Sequence, residues 1–332
     1  MFRFLFVAGM FILALRGQEG LGKSALIFHA DYYFDPIYGV YTAPGQILSI
    51  IVHGIGDGIE DRVIARGNPL PTKLADISVT VRGFPAPLLG ILASPTCYAP
   101  YCGKFVTIVL QVPFEYGGGL GPGAEALIVY EKDEPVVAIG AVFQSSRVHV
   151  FTTGNTLRWV FPEFQDYSFR PVVKKRDGTW IGKLHTAKPG DELTLYAVGL
   201  GRSSDSSVPL PASGMPSPPG YRVDVGILFD FGENPKARPV MYDPLIGGPN
   251  KPPPMEGMIW AGLAEGKVGI YEVRFRVPET IPEGTPSCRG AHMSHNLMVS
   301  IGSIARSPRL VQPTYDGAGI CVEVPSDLTA PQ

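Results

Sequence analysis

Apolar residues recur at every second position along much of the chain. Leu48, Ile50 and Val52 alternate with their neighbours, and so do Ile77, Val79 and Val81, separated by Ser78 and Thr80. Phe105 to Val112 is a further apolar run, stopped by Pro113. Residues two apart share one face of a strand, so each run predicts a strand with one buried face. In the second half Leu193, Leu195 and Ala197 alternate, as do Tyr221, Val223 and Val225, then Tyr271, Val273, Phe275 and Val277. Between the members of this last run stand Glu272, Arg274 and Arg276, which marks a half-buried antiparallel strand with a charged outer face. Shorter strands are predicted at Ser24 to Phe28, Leu88 to Leu92, Ala126 to Tyr130, Val136 to Phe143, Val148 to Thr152 and Leu157 to Phe161. Leu297, Val299 and Ile301 are read as the closing strand. The chain has no convincing long helix, and only Trp260 to Ala264 is expected to form one short turn.

The runs come in two matching sets. Ala43-Pro44-Gly45 opens one strand that leaves through Gly54-Ile55-Gly56, and Lys188-Pro189-Gly190 opens another that leaves through Gly199-Leu200-Gly201. Pro69-Leu70-Pro71 is echoed by Pro209-Leu210-Pro211, and the run ending at Val112-Pro113 by the one ending at Val277-Pro278. Tyr221, Val223 and Val225 mirror Ile77, Val79 and Val81. The copies differ at Cys97 to Lys104, read as a disulfide-closed hairpin tip, and at 231–257, a Pro-rich insert containing Lys251-Pro252-Pro253-Pro254. Arg176-Asp177-Gly178-Thr179 is a hairpin turn signal. Gly54 to Asn68 is expected to be a polar loop. The expected domains are 18–153 and 154–332.

Composition supports an all-β chain. It has 40 Gly and 33 Pro in 332 residues, and apolar residues at 45 % exclude disorder. A net charge of −2 gives no electrostatic case for nucleic acid as a partner. At the N-terminus Arg3 precedes an uncharged apolar run from Phe4 to Leu15, too short to span a bilayer comfortably but suited to a signal peptide over 1–17. No transmembrane segment is expected after its removal. An exported chain with four cysteines, Cys97, Cys102, Cys288 and Cys321, is expected to hold two disulfides. Three pairings are possible, and proximity in sequence favours Cys97 with Cys102 and Cys288 with Cys321.

The segment from Ala187 to Gly201, together with Trp260-Ala261-Gly262 through Val277-Pro278, resembles the uncharacterised C-terminal domain that recurs in exported proteins of soil Acidobacteria, especially Solibacter relatives. Ala43-Pro44-Gly45, Pro85-Ala86-Pro87-Leu88, Ser94-Pro95-Thr96 and Gln111-Val112-Pro113 carry the likeness in the first copy. The resemblance covers about residues 25 to 310. It implies a secreted or surface-associated protein of two tandem Ig-like antiparallel β-sandwich domains, and it brings no enzymatic role or binding residues.

Candidate chemistry is sparse. His292 and His295 are three apart but sit in a predicted loop, without the glutamate of a zincin motif. Gly199-Leu200-Gly201 lacks the third glycine and helix of a dinucleotide site, and reads as a strand exit needing positive φ or close backbone approach. No Gly-x-Ser-x-Gly elbow accompanies His29, His53, His149 and His185. Glu60, Asp61, Asp230 and Glu233 read as solvated loop charges. Tyr32, Tyr33, Tyr41, Trp159, Tyr167 and Trp180 could supply a sugar-stacking platform. No catalytic, cofactor-binding or metal residue is therefore assigned. The expected function is that of an exported, non-catalytic extracellular or cell-surface protein serving adhesion, structure or protein interaction. The alternative is a carbohydrate-binding module for extracellular polysaccharide, so the partner is a protein or a polysaccharide outside the cell.

Overall fold

Pro44-Gly45 and Pro189-Gly190 each turn the chain into a strand, and the two turns are built alike. Gly45 and Gly190 take φ of 73° and 80°. Their amides donate to the carbonyls of Val112 (2.9 Å) and Val277 (3.0 Å). The amides of Val112 and Val277 return the bond to Gln46 (2.8 Å) and Asp191 (2.9 Å). The side chains of these same two residues close the turns. Gln46 Oε1 accepts from the Ala43 amide and Asp191 Oδ2 from the Lys188 amide, both at 2.8 Å. The repeat read in the sequence thus extends to individual hydrogen bonds.

The fold comes from a computed structural model describing residues 25–30, 40–98, 101–116, 125–152, 160–161, 171–182, 185–231, 257–288, 295–303 and 315–324. The segment 1–17, Ser24, Tyr32, Tyr33, Gly117 to Gly123, Leu157 to Trp159, Tyr167, Glu233, positions 232–256 of the Pro-rich insert, His292 and the side chains of His29 and Cys97 lie outside the described residues. Among the described residues the regular elements are all strands. The chain divides into two compact units: Met1–Gln144 with Leu210–Pro216, and Ser145–Pro209 with Ser217–Gln332. Leu210–Pro216 thus groups with the first half, where the Gly214 amide donates to Gln111 Oε1 at 2.7 Å and the Leu70 amide to the Gly214 carbonyl at 2.8 Å.

The first unit contains β1 (Leu26–Ala30), β2 (Val40–Thr42), β3 (Ile47–His53), β4 (Arg62–Ile64), β5 (Lys73–Leu74), β6 (Ile77–Val81), β7 (Phe84–Pro85), β8 (Leu88–Tyr98), β9 (Tyr101–Gln111), β10 (Glu125–Glu131) and β11 (Glu134–Phe143). One sheet has the order β1-β3-β9-β8-β4, the other β2-β11-β10-β6-β5, with β7 also on β6. All pairs are antiparallel except β2 with β11. The alternating residues of both sheets meet in one buried cluster: Leu48, Ile50 and Val52 with Ile108, and Val79 and Val81 with Leu127. Burying such residues is the main favourable term in folding.

The second unit contains β12 (His149–Val150), β13 (Val173–Lys175), β14 (Glu192–Val198), β15 (Val225–Asp230), β16 (Met258–Leu263), β17 (Tyr271–Arg276), β18 (Leu297–Ser303) and β19 (Tyr315–Ile320). Its sheets run β12-β14-β17-β16, with β13 also on β14, and β15-β18-β19. The order β14-β17-β16 repeats β3-β9-β8, and β15-β18-β19 repeats β6-β10-β11. Even the parallel pair recurs, as a bridge between Ala187 and Val322. The Gln144 amide donates to Thr42 in one unit, and the Glu323 amide to Ala187 in the other.

Several expectations are corrected. Trp260 to Ala264 is not a helical turn, because Trp260 to Leu263 pair with Arg274 to Tyr271 in β16. Tyr221 and Val223 do not mirror the centre of β6: they hydrogen-bond to β16, and the equivalent strand β15 begins only at Val225. Leu297 to Ile301 is not the closing strand, since β19 follows it. β19 carries no strand signal in the sequence, since Asp316-Gly317-Ala318-Gly319 has no apolar alternation. The Gly54 to Asn68 loop contains β4, which pairs with β8. β8 and β9 extend well beyond the short apolar runs that announced them.

The two turns give a stability test. Replacing Gln46 by Ala leaves the amide of buried Ala43 without its partner, at an expected cost of about 1–3 kcal/mol. Asp191→Ala acts where water can replace the lost acceptor, and it also removes a half-exposed pair with Lys175, so its cost should be about 1 kcal/mol. Urea unfolding of both variants checks this, and equal midpoint shifts would contradict it.

Candidate functional site

Along β17 the chain alternates Tyr271, Val273 and Phe275 inward with Glu272, Arg274 and Arg276 outward, and the burial follows that alternation. The neighbouring strands extend the outer face. In register across the sheet, Arg274 lies opposite Thr194 on one side and Trp260 on the other. Thr194 lies opposite Lys174, and Lys174 opposite Trp180. One cross-strand row therefore reads Trp180, Lys174, Thr194, Arg274, Trp260. At about 4.8 Å per strand it spans roughly 19 Å.

Each part of the row has a local cause. The turn Arg176-Asp177-Gly178-Thr179 brings Trp180 back beside Lys174. Lys175 donates its amide to the Thr179 carbonyl at 2.8 Å, and Asp177 Oδ1 accepts from the Thr179 amide at 2.9 Å. That amide holds the Asp177 carboxyl below its ordinary range. On the far side, the β16–β17 register slips between Met258 and Trp260. A bulge of this kind leaves one residue unpaired and re-aims it, and Ile259 is 41 % exposed.

Cations lie against the aromatic rings. Lys174 Nζ is 5.3 Å from the Trp180 ring centre and 5.1 Å from that of Tyr196. Arg274 Cζ is 4.7 Å from the Trp260 ring centre. A cation over an aromatic face is attracted by the ring's quadrupole, which steadies both groups. Trp180 is 42 % exposed.

Beside the row is a cleft of about 310 Å³ lined by Lys174, Lys175, Arg176 and Arg274, with Glu192 as its one carboxylate. Three of the nearby cations are matched. Lys175 pairs with Asp191 at 3.0 Å, Arg276 with Glu192 at 2.7 Å and Arg274 with Glu272 at 3.8 Å. The hydrogen bond from Arg276 keeps the Glu192 carboxyl below its usual range. No carboxylate among the described residues lies within ion-pair distance of Lys174 or Arg176. A second groove, of about 740 Å³, lies along Leu228, Phe229, Met258 and Pro278.

The candidates read from the sequence are scattered. Gly199 and Gly201 have φ of 74° and 81°, and an added Cβ at either would collide with the carbonyl of Arg147 or Ser145. They serve backbone geometry. His295 is packed over Gly319, and burial lowers its pKa. His149 Nδ1 is 3.0 Å from Asp316 Oδ2, which also accepts from the Val150 amide. Glu60, Asp61 and Asp230 are exposed. Tyr41 is exposed on β2, in the first unit. Of the two proposed aromatics among the described residues, Tyr41 and Trp180, Trp180 lies in the row. Among the described residues no group of three potential metal ligands occurs, and no helix is long and apolar enough to cross a membrane.

Cys288 and Cys321 form a disulfide, with Cα atoms 5.8 Å apart. Cys97 and Cys102 are opposed in the β8–β9 register, and Cys102 is disulfide-bonded. Sequence reading missed Lys174, Arg274 and Trp260 as site residues. The charged alternation of β17 was visible, but its neighbours depend on register. Comparison with protein-family models, with curated proteins and with solved structures yields no match for this chain.

Proposed function

We propose that this chain is an exported, non-catalytic extracellular or cell-surface protein of two tandem Ig-like domains, and that it binds its partner through the outer face of β13, β14, β17 and β16. The strand order supports the Ig-like reading. In each unit four strands of one sheet and three of the other follow the ABED and CFG orders of Ig-type sandwiches, with β1-β3-β9-β8 and β6-β10-β11 in the first. The disulfide fits an oxidising compartment. The resemblance to the exported acidobacterial domain points the same way.

The observation that carries the binding role is the outward-facing Trp180-to-Trp260 row, in which Trp180 and Arg274 are exposed and the other three half-buried. Aromatic and arginine side chains concentrate binding energy at interaction surfaces. Mature protein on beads should retain a component of the cell envelope or extracellular matrix, and a Trp180→Ala/Trp260→Ala variant should lose it. Equal retention by both proteins would remove this face from the function.

A carbohydrate-binding role is the second reading. It is favoured by two indoles on one solvent-facing sheet, since indole faces stack on the apolar faces of pyranose rings. A glycan array separates it from a protein-binding role.

A further inference from the structure

We propose that the Trp180-to-Trp260 face binds an extended acidic polysaccharide, a chain of pyranose rings bearing carboxylates; this rests on the binding role just assigned to that face. Three observations lead there. The row sets an indole at each end with Lys174, Thr194 and Arg274 between them, along a line rather than around a pit, which suits a linear polymer. The repeat of an extended pyranose chain is comparable to one inter-strand step, so successive rings meet successive side chains.

Charge is the second observation. The chain as a whole carries a net charge of −2, yet the cleft gathers Lys174, Lys175, Arg176 and Arg274 around a single glutamate. Arg276 and Arg176 both act on the Glu192 carboxylate, and Lys174 has no carboxylate within ion-pair distance among the described residues, so the cleft keeps a modest positive excess. Guanidinium groups match the planar carboxylate of a uronic acid, and a cation in a concave site is screened less than one on a flat surface.

The third is pre-organisation. Lys174 is already placed against Trp180 and Tyr196, and Arg274 against Trp260, so little side-chain freedom is lost on binding. A neutral glycan would use the indoles and leave the surplus charge unanswered. An acidic peptide would use the charge but make less use of the indole faces.

The test uses the full mature chain in solution, titrated with polygalacturonate oligomers, the fully methyl-esterified oligomers, neutral dextran and poly-glutamate peptide. Polygalacturonate should bind with an affinity that falls as salt rises, and esterification should abolish most of it. Trp180→Ala should weaken binding roughly tenfold. Lys174→Gln/Arg176→Gln should weaken it and flatten the salt dependence, and Arg176→Gln alone, at an exposed turn position, should do so in part with the melting temperature unchanged. Preference for dextran or for poly-glutamate, lost in the Trp180→Ala protein, would overturn the acidic-polysaccharide assignment and leave the binding face standing. Polygalacturonate binding that none of these substitutions changes would overturn both.

Discussion

Gly199→Ala is expected to destabilise the chain by several kcal/mol, about 3 or more. Two effects add. The residue has φ of 74°, a region that L side chains rarely adopt. An added methyl would also overlap the Arg147 carbonyl oxygen, which accepts no displacement without moving the backbone next to β12. The Arg147 amide donates to the Gly199 carbonyl at 2.7 Å, so that movement breaks a bond as well. Gly201 is constrained in the same way against Ser145, and its carbonyl accepts from the buried Tyr271 hydroxyl at 2.6 Å. Gly178→Ala is the control. Its φ is 90°, but nothing lies within 4 Å of the added carbon, so only the conformational cost of about 1 kcal/mol applies. Urea unfolding of the three proteins decides the matter, and a Gly199→Ala midpoint no lower than that of Gly178→Ala would disprove the close-approach argument.

Removing the Cys288–Cys321 bond, as Cys288→Ser/Cys321→Ser, is expected to cost about 3–4 kcal/mol. The bond closes a loop with a sequence separation of 33 residues, and both cysteines are buried. It also frames a hydrogen-bonded asparagine. Asn296 donates to the carbonyls of Pro286 (3.0 Å) and Val322 (2.8 Å) and accepts from the Val322 amide (2.8 Å). Opening the loop unfastens β18 from the strand-end residues that follow β19. Calorimetry should show a melting temperature lower by roughly 10 °C. A shift under about 2 °C would show that the loop is held by its hydrogen bonds and packing rather than by the crosslink.

The two tests address different kinds of information in the chain. The need for glycine at 199 and 201 was visible in the sequence, as a strand exit repeated at Gly54 and Gly56. Which atoms approach those glycines was not visible, because Ser145 and Arg147 lie some fifty residues away. The Cys288–Cys321 pairing was legible from proximity alone. The correspondence of Gln46 with Asp191 as turn-closing acceptors emerged only from the structure, because one is an amide and the other a carboxylate.

The misreadings share one physical origin. Trp260 to Ala264 has the composition of a helical turn, and it is a strand because Tyr271 to Arg274 offer it a ladder of backbone partners. Tyr221 to Val225 alternates as a strand should, yet its first residues bond to one sheet and β15 belongs to the other. β19 has almost no apolar pattern and exists because β18 pairs with it. In each case a non-local pairing outweighed a local preference.

By itself the sequence determined the class of structure, the repeat, the turns and the disulfide in the second unit. Those features depend on period-two alternation, on the φ range of glycine and on distances of a few residues, which are local properties of the chain. Only the tertiary structure decided the candidate site. Trp180, Lys174, Thr194, Arg274 and Trp260 are drawn from positions 174 to 274 of the sequence and form a row solely because four strand segments and one isolated bridge pair in a particular register. A slip of one residue in any pair would send its side chains to the opposite face. Register is set by the burial of Leu193, Leu195, Val273 and Phe275 on the inner face, so the packing of the core is what places the outer row.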